Sequence, residues 1–353
     1  MLQFKHPEPS LPNRLNMVPP NSTNNNFDGK SRFYRPSTLA FALLLLTSLV
    51  AGCAERDGAT APLSTDRPSP ETAEAPTPSE MMGRKRIVCS TTQCADFARQ
   101  VVGDRWEVQC VLGPGQDPHS YEPRVADSNA VAKADLCVRN GWNLEGHEWM
   151  KTLADNAGKP LVTCTAEVEP LMTGEDSPVQ DPHAWFNPAN AWKYVKQIRD
   201  EVCQLDPEHR EEYMARAELY RAQLRDLENW IQQQVGSIAE PRVLVTHHDA
   251  FGYFCDRYGF EAVSPVGWTT DEIAGTTISD RQAVVEQIRE LKVRSIFVES
   301  TLNREMIEAI AKEAGVEVGG ELYSDAMGGR GTAGESYIGM MRENVLKIVA
   351  GLK

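Results

Sequence analysis

The sequence lacks an excess of positive charge. Its 353 residues include 36 Lys and Arg against 50 Asp and Glu, which gives a formal net charge of -14 and a pI of about 5.1. Nucleic-acid-binding domains usually carry a basic surface that attracts phosphates. We therefore expect no nucleic-acid partner.

A hydrophobic run long enough to cross a bilayer is missing as well. The apolar run at residues 39–50 has 12 residues, which is too short for a transmembrane helix and typical of a signal-peptide core. It follows Arg32 and Arg35 and leads into Ala51-Gly52-Cys53, which resembles a bacterial lipobox. The resemblance implies cleavage before Cys53, lipidation of Cys53 and attachment to a membrane on its extracytoplasmic side, either periplasmic or at the cell surface. The alternative is an ordinary secretory signal with a chance cysteine.

Paired cysteines and the short motifs of hydrolases are also absent. None of the eight cysteines forms a CxxC pair, which argues against a zinc ribbon, and there is no GxSxG or HExxH motif. Seven cysteines remain after Cys53, so at least one is unpaired in a monomer. We expect buried free thiols at Cys110, Cys137 and Cys164, which lie in apolar strand-like segments.

The composition divides the chain into a leader, a tether and a folded body. Residues 54–84 are rich in Pro, Thr, Ala, Ser and Glu and contain almost no large apolar residue, which predicts a flexible tether. The predicted divisions are a signal peptide with lipobox (1–53), the tether (54–84), an N-terminal α/β lobe (85–205), a linking helix (206–237) and a C-terminal α/β lobe (238–353).

One long helix organises the body. Between Pro207 and Val235, apolar residues recur at alternating steps of four and three, as on one face of an α-helix. Asp206 is the predicted N-cap and Gly236 the predicted stop. The face consists of Tyr213, Ala217, Tyr220, Leu224, Leu227 and Ile231. A rod of roughly 43 Å is too long for one small sheet, so we interpret it as a helix joining two lobes rather than a surface helix of a single domain.

Strand-like and helix-like segments alternate on both sides of this helix. Short apolar strands such as those at residues 86–90, 136–139 and 242–246 are separated by helical patterns, including one at 144–156. This rhythm is typical of parallel sheets covered by helices. The predicted fold is therefore α/β, with two similar parallel-sheet lobes joined by one long rigid α-helix.

Candidate metal ligands follow the predicted strands. His119 and His183 each lie in an Asp-Pro-His sequence, His248 follows the strand at 242–246, and Asp325 follows a later strand. Ligands bind beyond the carboxyl ends of strands in open parallel sheets, so a cleft between the lobes could bring the four together. Three imidazoles and one carboxylate suit a transition metal such as zinc or manganese better than calcium or magnesium. A lone loop histidine is more often a surface or hydrogen-bonded residue, and the long spacings form no local ligand pattern.

Two further residues lie beside these candidates. His247 and His248 are adjacent, and an extended backbone directs neighbouring side chains to opposite sides, so at most one is expected to be a ligand. Glu299 ends a predicted strand and is a possible ligand, a partner behind a ligand, or one half of a salt bridge.

The quoted segments resemble one family. DPHSYEP, DPHAWFNP, THHDAFGYFCDRYGF and LYSDAMG, at residues 117–123, 181–188, 246–260 and 322–328, resemble the metal-specific solute-binding proteins of ABC importers, the TroA/ZnuA-like group. The resemblance extends over roughly residues 86–353. It implies a two-lobed body with the metal site between the lobes, ligands at His119, His183, His248 and Asp325, and one transported ion per chain.

Two departures leave the ion open between zinc and manganese. Zinc-specific members often carry a long His-rich loop before the second Asp-Pro-His, whereas residues 165–181 are short and contain no histidine. Many manganese members have a carboxylate at the third ligand position, where this chain has His248. Three nitrogen ligands favour zinc slightly.

Three function classes follow from these observations. The first is a membrane-anchored binding protein, monomeric and not an enzyme, that delivers its ion to an ABC permease. The second is a secreted metalloenzyme using the same site, although four protein ligands would leave no open position for water. The third is an adhesin-like surface lipoprotein on the same scaffold.

Overall fold

The structure is a computed structural model of the chain. It describes residues 83–173, 179–265 and 278–353. The predicted signal peptide with Cys53, and all but the last two residues of the predicted tether, lie outside these ranges. No helix within them is long and apolar enough to cross a membrane.

The first half of the body is a parallel sheet covered by helices. Its elements are β1 (Arg86–Cys89), α1 (Thr92–Val102), β2 (Glu107–Cys110), α2 (Val125–Ala132), β3 (Leu136–Arg139), α3 (Trp149–Ala157) and β4 (Leu161–Thr163). The four strands lie in the order β2-β1-β3-β4, and every neighbouring pair is parallel. Ile87, Val88 and Cys89 of β1 are completely buried, as expected for a strand inside a sheet with both faces covered.

The predicted helix at residues 144–156 is wrong at its start. The α-helix α3 begins at Trp149, and residues Gly146–Glu148 form a 3-10 turn instead. His147 and Glu148 both have φ of 55°, a left-handed conformation that an α-helix cannot contain. The resulting turn directs Glu145 into the protein interior, where its side chain is completely buried.

Residues 165–181, predicted as a short loop, contain two paired segments. β5 (Met172–Thr173) and β6 (Val179–Gln180) form a two-stranded antiparallel pair. After the second Asp-Pro-His, α4 (Pro188–Leu205) begins with the Asn187 side chain accepting a hydrogen bond from the Ala189 N–H.

The long helix is present where the periodicity predicts it. Residues Pro207–His209 form a 3-10 turn, and α5 (Arg210–Val235) follows as a 26-residue α-helix that ends before Gly236. All six residues of the predicted face are buried. Asp206 occupies the predicted N-cap position of this turn, but its side chain makes no capping hydrogen bond and instead accepts hydrogen bonds from Tyr213 and His209.

The second half contains two parallel strand pairs instead of one sheet. Its elements are β7 (Val243–Val245), α6 (Gly252–Tyr258), β8 (Glu261–Val263), α7 (Ile278–Glu290), β9 (Ser295–Glu299), α8 (Glu305–Ala314), β10 (Glu317–Leu322) and α9 (Tyr337–Leu352). β7 pairs with β8, and β9 pairs with β10. The strands β7 and β9 also contact each other, so the two pairs lie side by side.

The largest of three apolar clusters among the described residues connects both halves through α5. This helix packs against α1 and α4 of the first half and against α9 of the second. Side chains from all four helices, including Phe97, Tyr194, Leu224 and Tyr337, belong to one cluster of buried residues. Both lobes therefore pack against the long helix, and burial of its apolar face holds them together.

Candidate metal centre

The four predicted ligands lie together in the protein interior. His119 follows β2, His183 directly precedes a 3-10 turn (Ala184–Phe186) that leads to α4, His248 follows β7, and Asp325 follows β10. Their side chains are buried, and one ligand atom from each lies within 4.8 Å of the others. Two of these residues come from each half of the chain, so the cluster forms where the two lobes meet.

Three of the distances between the ligand atoms match a small tetrahedral ion. Nε2 of His119 lies 3.3 Å from Nε2 of His183, which lies 3.3 Å from Oδ1 of Asp325. Nε2 of His248 lies 3.3 Å from Oδ2 of Asp325. Four ligands placed 2.0–2.1 Å from a tetrahedral zinc ion are about 3.3 to 3.4 Å apart. Nε2 of His119 lies 3.9 Å from Oδ1 of Asp325, and the four ligand atoms lie within 4.8 Å of one another, so the cluster is somewhat wider than such an ion requires.

Several buried polar atoms of the cluster face one another without forming a well-directed hydrogen bond. Within the described part of the chain, Nε2 of His248 and both carboxylate oxygens of Asp325 make no well-directed hydrogen bond. Buried polar groups are normally hydrogen-bonded or bound to an ion. The set of donors that face each other here, three imidazole nitrogens and a carboxylate, fits a divalent transition metal.

Each Asp-Pro-His loop is shaped by its own aspartate. Oδ1 of Asp117 accepts the N–H of His119 at 2.9 Å, and Oδ1 of Asp181 accepts the N–H of His183 at 2.9 Å. Asp181 also lies 2.8 Å from Nδ1 of His183. This contact directs Nε2 of His183 toward the other ligand atoms, because a ring whose Nδ1 carries the proton presents a free lone pair at Nε2.

Glu299 holds His248 from behind. Its Oε1 accepts the backbone N–H groups of His247 and His248, and its Oε2 lies 2.7 Å from Nδ1 of His248. Among the residues that the structure describes, Glu299 is not part of the four-residue cluster of possible ligands. The His247 ring is buried as well but also lies outside the cluster.

Burial and charge set different proton affinities for the three histidines. Burial lowers the pKa of His119 to about 4, against the opposing effect of Asp325. Burial also lowers the pKa of His183, but its hydrogen bond with Asp181 and the nearby Asp325 raise it to about 9 overall. For His248, the charges of Glu299 and Asp325 outweigh burial and raise the pKa well above its usual value.

The Asp325 carboxyl is held in its charged form. Burial raises its pKa, but the charge of His248 and the contacts with the other two rings bring the pKa well below the usual value. Asp325 is therefore a carboxylate at neutral pH, able to neutralise part of a cation's charge.

A turn that the sequence reasoning missed holds both histidine loops. Asn140 donates through Nδ2 to the carbonyl of Pro182, next to His183, at 2.9 Å. Gly146 donates its N–H to the carbonyl of Pro118, next to His119, at 3.4 Å, and Nε1 of Trp149 donates to the same carbonyl at 3.3 Å. We call residues 140–149 the bracing turn, because one segment supports the loops of two ligands.

Glu145 fixes the shape of the bracing turn. Its carboxyl accepts hydrogen bonds from the Ser90 hydroxyl at 2.6 Å and from the N–H groups of Asn140 and Gly141 at 2.7 and 3.1 Å. A methyl group added at Gly146 would lie 1.9 Å from the His119 carbonyl oxygen, so only glycine allows this approach. The sequence predicts a helix from Leu144 onward. The acid and the glycine that follow, Glu145 and Gly146, are the residues that form the turn instead.

A match to a protein-family model identifies the family of the chain. A family model described as zinc-uptake complex component A, periplasmic, matches residues 87–351. The chain belongs to the ZnuA family.

Relatives of the family cover most of this chain. The manganese-binding lipoprotein MntA of Halalkalibacterium halodurans is 33% identical over 314 residues, which cover 89% of this chain and 97% of MntA. The zinc-binding protein TroA of Treponema pallidum is 34% identical over 280 residues, which cover 76% of this chain and 89% of TroA. The iron ABC transporter substrate-binding lipoprotein MtsA of Streptococcus pyogenes is 30% identical over 276 residues, covering 76% and 88%.

A solved structure of the family has the same architecture. The periplasmic zinc-binding protein TroA of Treponema pallidum superposes with a TM-score of 0.72 at 31% identity, covering 76% of this chain and 99% of TroA. This likeness confirms the predicted fold class of two α/β lobes joined by a long helix.

Proposed function

We propose that this protein captures a divalent transition-metal ion outside the cytoplasm and delivers it to the permease of an ABC importer. The observation that carries the proposal is the convergence of His119, His183, His248 and Asp325 on one buried point, with three contacts of 3.3 Å between their ligand atoms. Membership in the ZnuA family supports it, because relatives are named as metal-binding lipoproteins and as an ABC transporter substrate-binding lipoprotein.

The proposed ligands are Nε2 of the three histidines together with the carboxylate of Asp325. One ion binds per chain, as cargo. Asp181 and Glu299 hold the rings of His183 and His248 from behind and thereby keep their Nε2 lone pairs directed at the ion. His247 contributes no ligand in this assignment.

The proposed cargo is zinc or manganese, with zinc favoured. Three imidazole ligands suit zinc, whereas manganese prefers more oxygen ligands and a larger coordination number. Manganese remains a candidate cargo, because the manganese-binding relatives are as similar to this chain as the zinc-binding one.

Binding is proposed rather than catalysis. A catalytic zinc site normally has three protein ligands and keeps one position open for water or substrate. Here the four proposed ligands would fill a tetrahedral site, and their side chains are at most 2% exposed. A buried, closed site suits storage and hand-over of an ion.

The remaining parts of the chain are assigned to transport as well. Residues 1–53 direct export and end at Cys53, which carries the lipid anchor, and residues 54–84 tether the body to the membrane. The N-terminal lobe (85–205), the linking helix (206–237) and the C-terminal lobe (238–353) form a monomer. Its partner is the permease.

Metal analysis of the purified chain tests the proposal. The chain is stripped with a chelator, exposed to equal amounts of zinc and manganese, desalted and analysed for both metals. We expect about one equivalent of metal, predominantly zinc, and loss of this metal in His183→Ala.

His209→Ala is the matched control, because His209 lies in the turn before α5, where its ring contacts Asp206 and Tyr213 and is outside the four-residue cluster. It should retain a full equivalent. Absence of both metals from the unmodified chain would contradict metal binding, whereas predominance of manganese would reverse the choice of ion alone.

A further inference from the structure

Two cysteines from distant parts of the first half meet in the core. Sγ of Cys94, in the first turn of α1, lies 3.9 Å from Sγ of Cys164, which directly follows β4. Both side chains are completely buried. Cys110 and Cys203, in contrast, direct their thiols toward the backbone carbonyls of Ser90 and Arg210.

We propose that Cys94 and Cys164 form a disulfide bond in the exported protein, which replaces the free thiol that the sequence predicts at Cys164. A disulfide requires the two sulfurs to approach to about 2.05 Å, so they must move together by a little less than 2 Å. The two sulfurs are already in van der Waals contact. The proposal goes beyond metal binding, although it uses the extracytoplasmic location, because disulfides persist in oxidising compartments.

The reaction is a thiol–disulfide exchange. The two thiols lose two protons and two electrons, and the sulfurs become bonded to each other. The electron acceptor is the disulfide form of an extracytoplasmic thiol–disulfide oxidoreductase, which becomes a dithiol.

The bond forms before the core closes. Burial raises the pKa of the Cys164 thiol well above its usual value, which leaves almost no reactive thiolate in the folded chain. Oxidation therefore takes place while the exported chain is folding and both thiols are accessible.

The disulfide would brace the side of the sheet that carries the metal site. It links residues 70 positions apart, tying α1 to the end of β4. The same turn of α1 holds the loop of Asp325, because Thr92 accepts the N–H of Met327 at 2.8 Å and Gln93 donates to the carbonyl of Ser324 at 3.1 Å.

Thiol mapping on the full chain tests the proposal. The chain is expressed with its leader and recovered from the extracytoplasmic fraction. Free thiols are alkylated in denaturant without reductant, the protein is then reduced, and the new thiols receive a second label of different mass. We expect the second label at Cys94 and Cys164 and the first label at Cys89 and Cys137, which serve as internal controls in the same lobe. The first label at Cys94 and Cys164 would overturn the proposal.

A stability measurement gives an independent answer. Closing a loop of this size should raise the melting temperature of the chain as purified by roughly 10 °C over the chain refolded under reductant. The double variant Cys94→Ala/Cys164→Ala should show no such difference, whereas Cys137→Ala should retain it. An equal difference in the double variant would refute the pairing. Thiol mapping needs no metal, so it separates failure of the disulfide from failure of the proposed function.

Discussion

Adjacent histidines provide the sharpest comparison at the residue scale. His248 belongs to the ligand cluster, and His247 does not, although both are buried and both donate their N–H groups to Glu299. We predict that His248→Ala abolishes high-affinity metal binding, because it removes a ligand atom. His247→Ala should weaken binding by no more than about 10- to 100-fold, as expected for a residue behind the ligands. Titration against a competing chelator measures both, and equal losses would contradict the assignment.

A glycine near Asp181 offers a second prediction at this scale. A methyl group added at Gly252, the first residue of α6, would lie 2.6 Å from Oδ2 of Asp181. Gly252→Ala should displace Asp181, misalign the His183 ring and lower metal affinity by about 10-fold or more, since Asp181 holds Nδ1 of that ring.

The melting temperature of the metal-free chain should change little in Gly252→Ala, because alanine favours a helix more than glycine does. Gly83→Ala is the matched control, since an added methyl group there meets nothing within 4 Å. Unchanged affinity in Gly252→Ala would show that Asp181 does not position the ring.

The bracing turn is the informative element. Burial raises the pKa of Glu145, and its hydrogen bonds with Ser90 and with the N–H groups of Asn140 and Gly141 offset this only in part. As pH rises above the ordinary Glu pKa, Glu145 loses its proton in the unfolded chain before it does so in the folded chain. The folded state therefore binds more protons in this pH range. The contribution of Glu145 to the free energy of unfolding is therefore greatest below the ordinary pKa and falls as pH rises toward the folded-state value.

The matched variant is Glu145→Gln, which cannot titrate. We predict that the stability of the unmodified chain relative to this variant decreases as pH rises from about 4 toward neutrality. Urea denaturation of both proteins across this range measures the difference. A difference that increases with pH would contradict the prediction.

The long helix α5 is an element against which both halves of the molecule pack. Leu224 lies on its buried face, whereas Leu219 is 64% exposed. Leu224→Ala should lower the free energy of unfolding by about 2 to 5 kcal/mol, because it leaves a cavity in the core that both halves share. Leu219→Ala should change it by about 0.5 kcal/mol or less.

Calorimetry should detect a single unfolding transition in both leucine variants. Two separate transitions in Leu224→Ala would mean that the halves have independent cores.

At the scale of the whole molecule, metal binding should stabilise the fold. The four proposed ligands come from both halves, so an ion held by all four is bound only by the folded chain. At a free ion concentration 100 times the dissociation constant, the gain is about 2.7 kcal/mol. For a body of this size the melting temperature should rise by roughly 5 to 10 °C. A melting temperature indifferent to zinc and manganese would count against the site.

Local patterns in the sequence determined the elements and the candidate ligands. The apolar face of α5 was predicted in full because helical periodicity depends only on neighbouring residues, and all six of its residues are buried. Parallel strands were recognised by their short apolar runs. His119, His183, His248 and Asp325 were found because strand ends are visible in the chain and because their surroundings resemble one family.

Long-range packing decided the support of the site, since no local pattern shows which distant side chains meet. Glu299 contacts His248 from 51 positions away, and Glu145 bonds to Ser90 across 55 positions. The start of α3 was predicted incorrectly for the same reason: buried hydrogen bonds to Glu145 hold His147 and Glu148 in a left-handed turn that helical propensity opposes. Periodicity specifies which face of a segment is buried, but only the folded chain decides which groups that face meets.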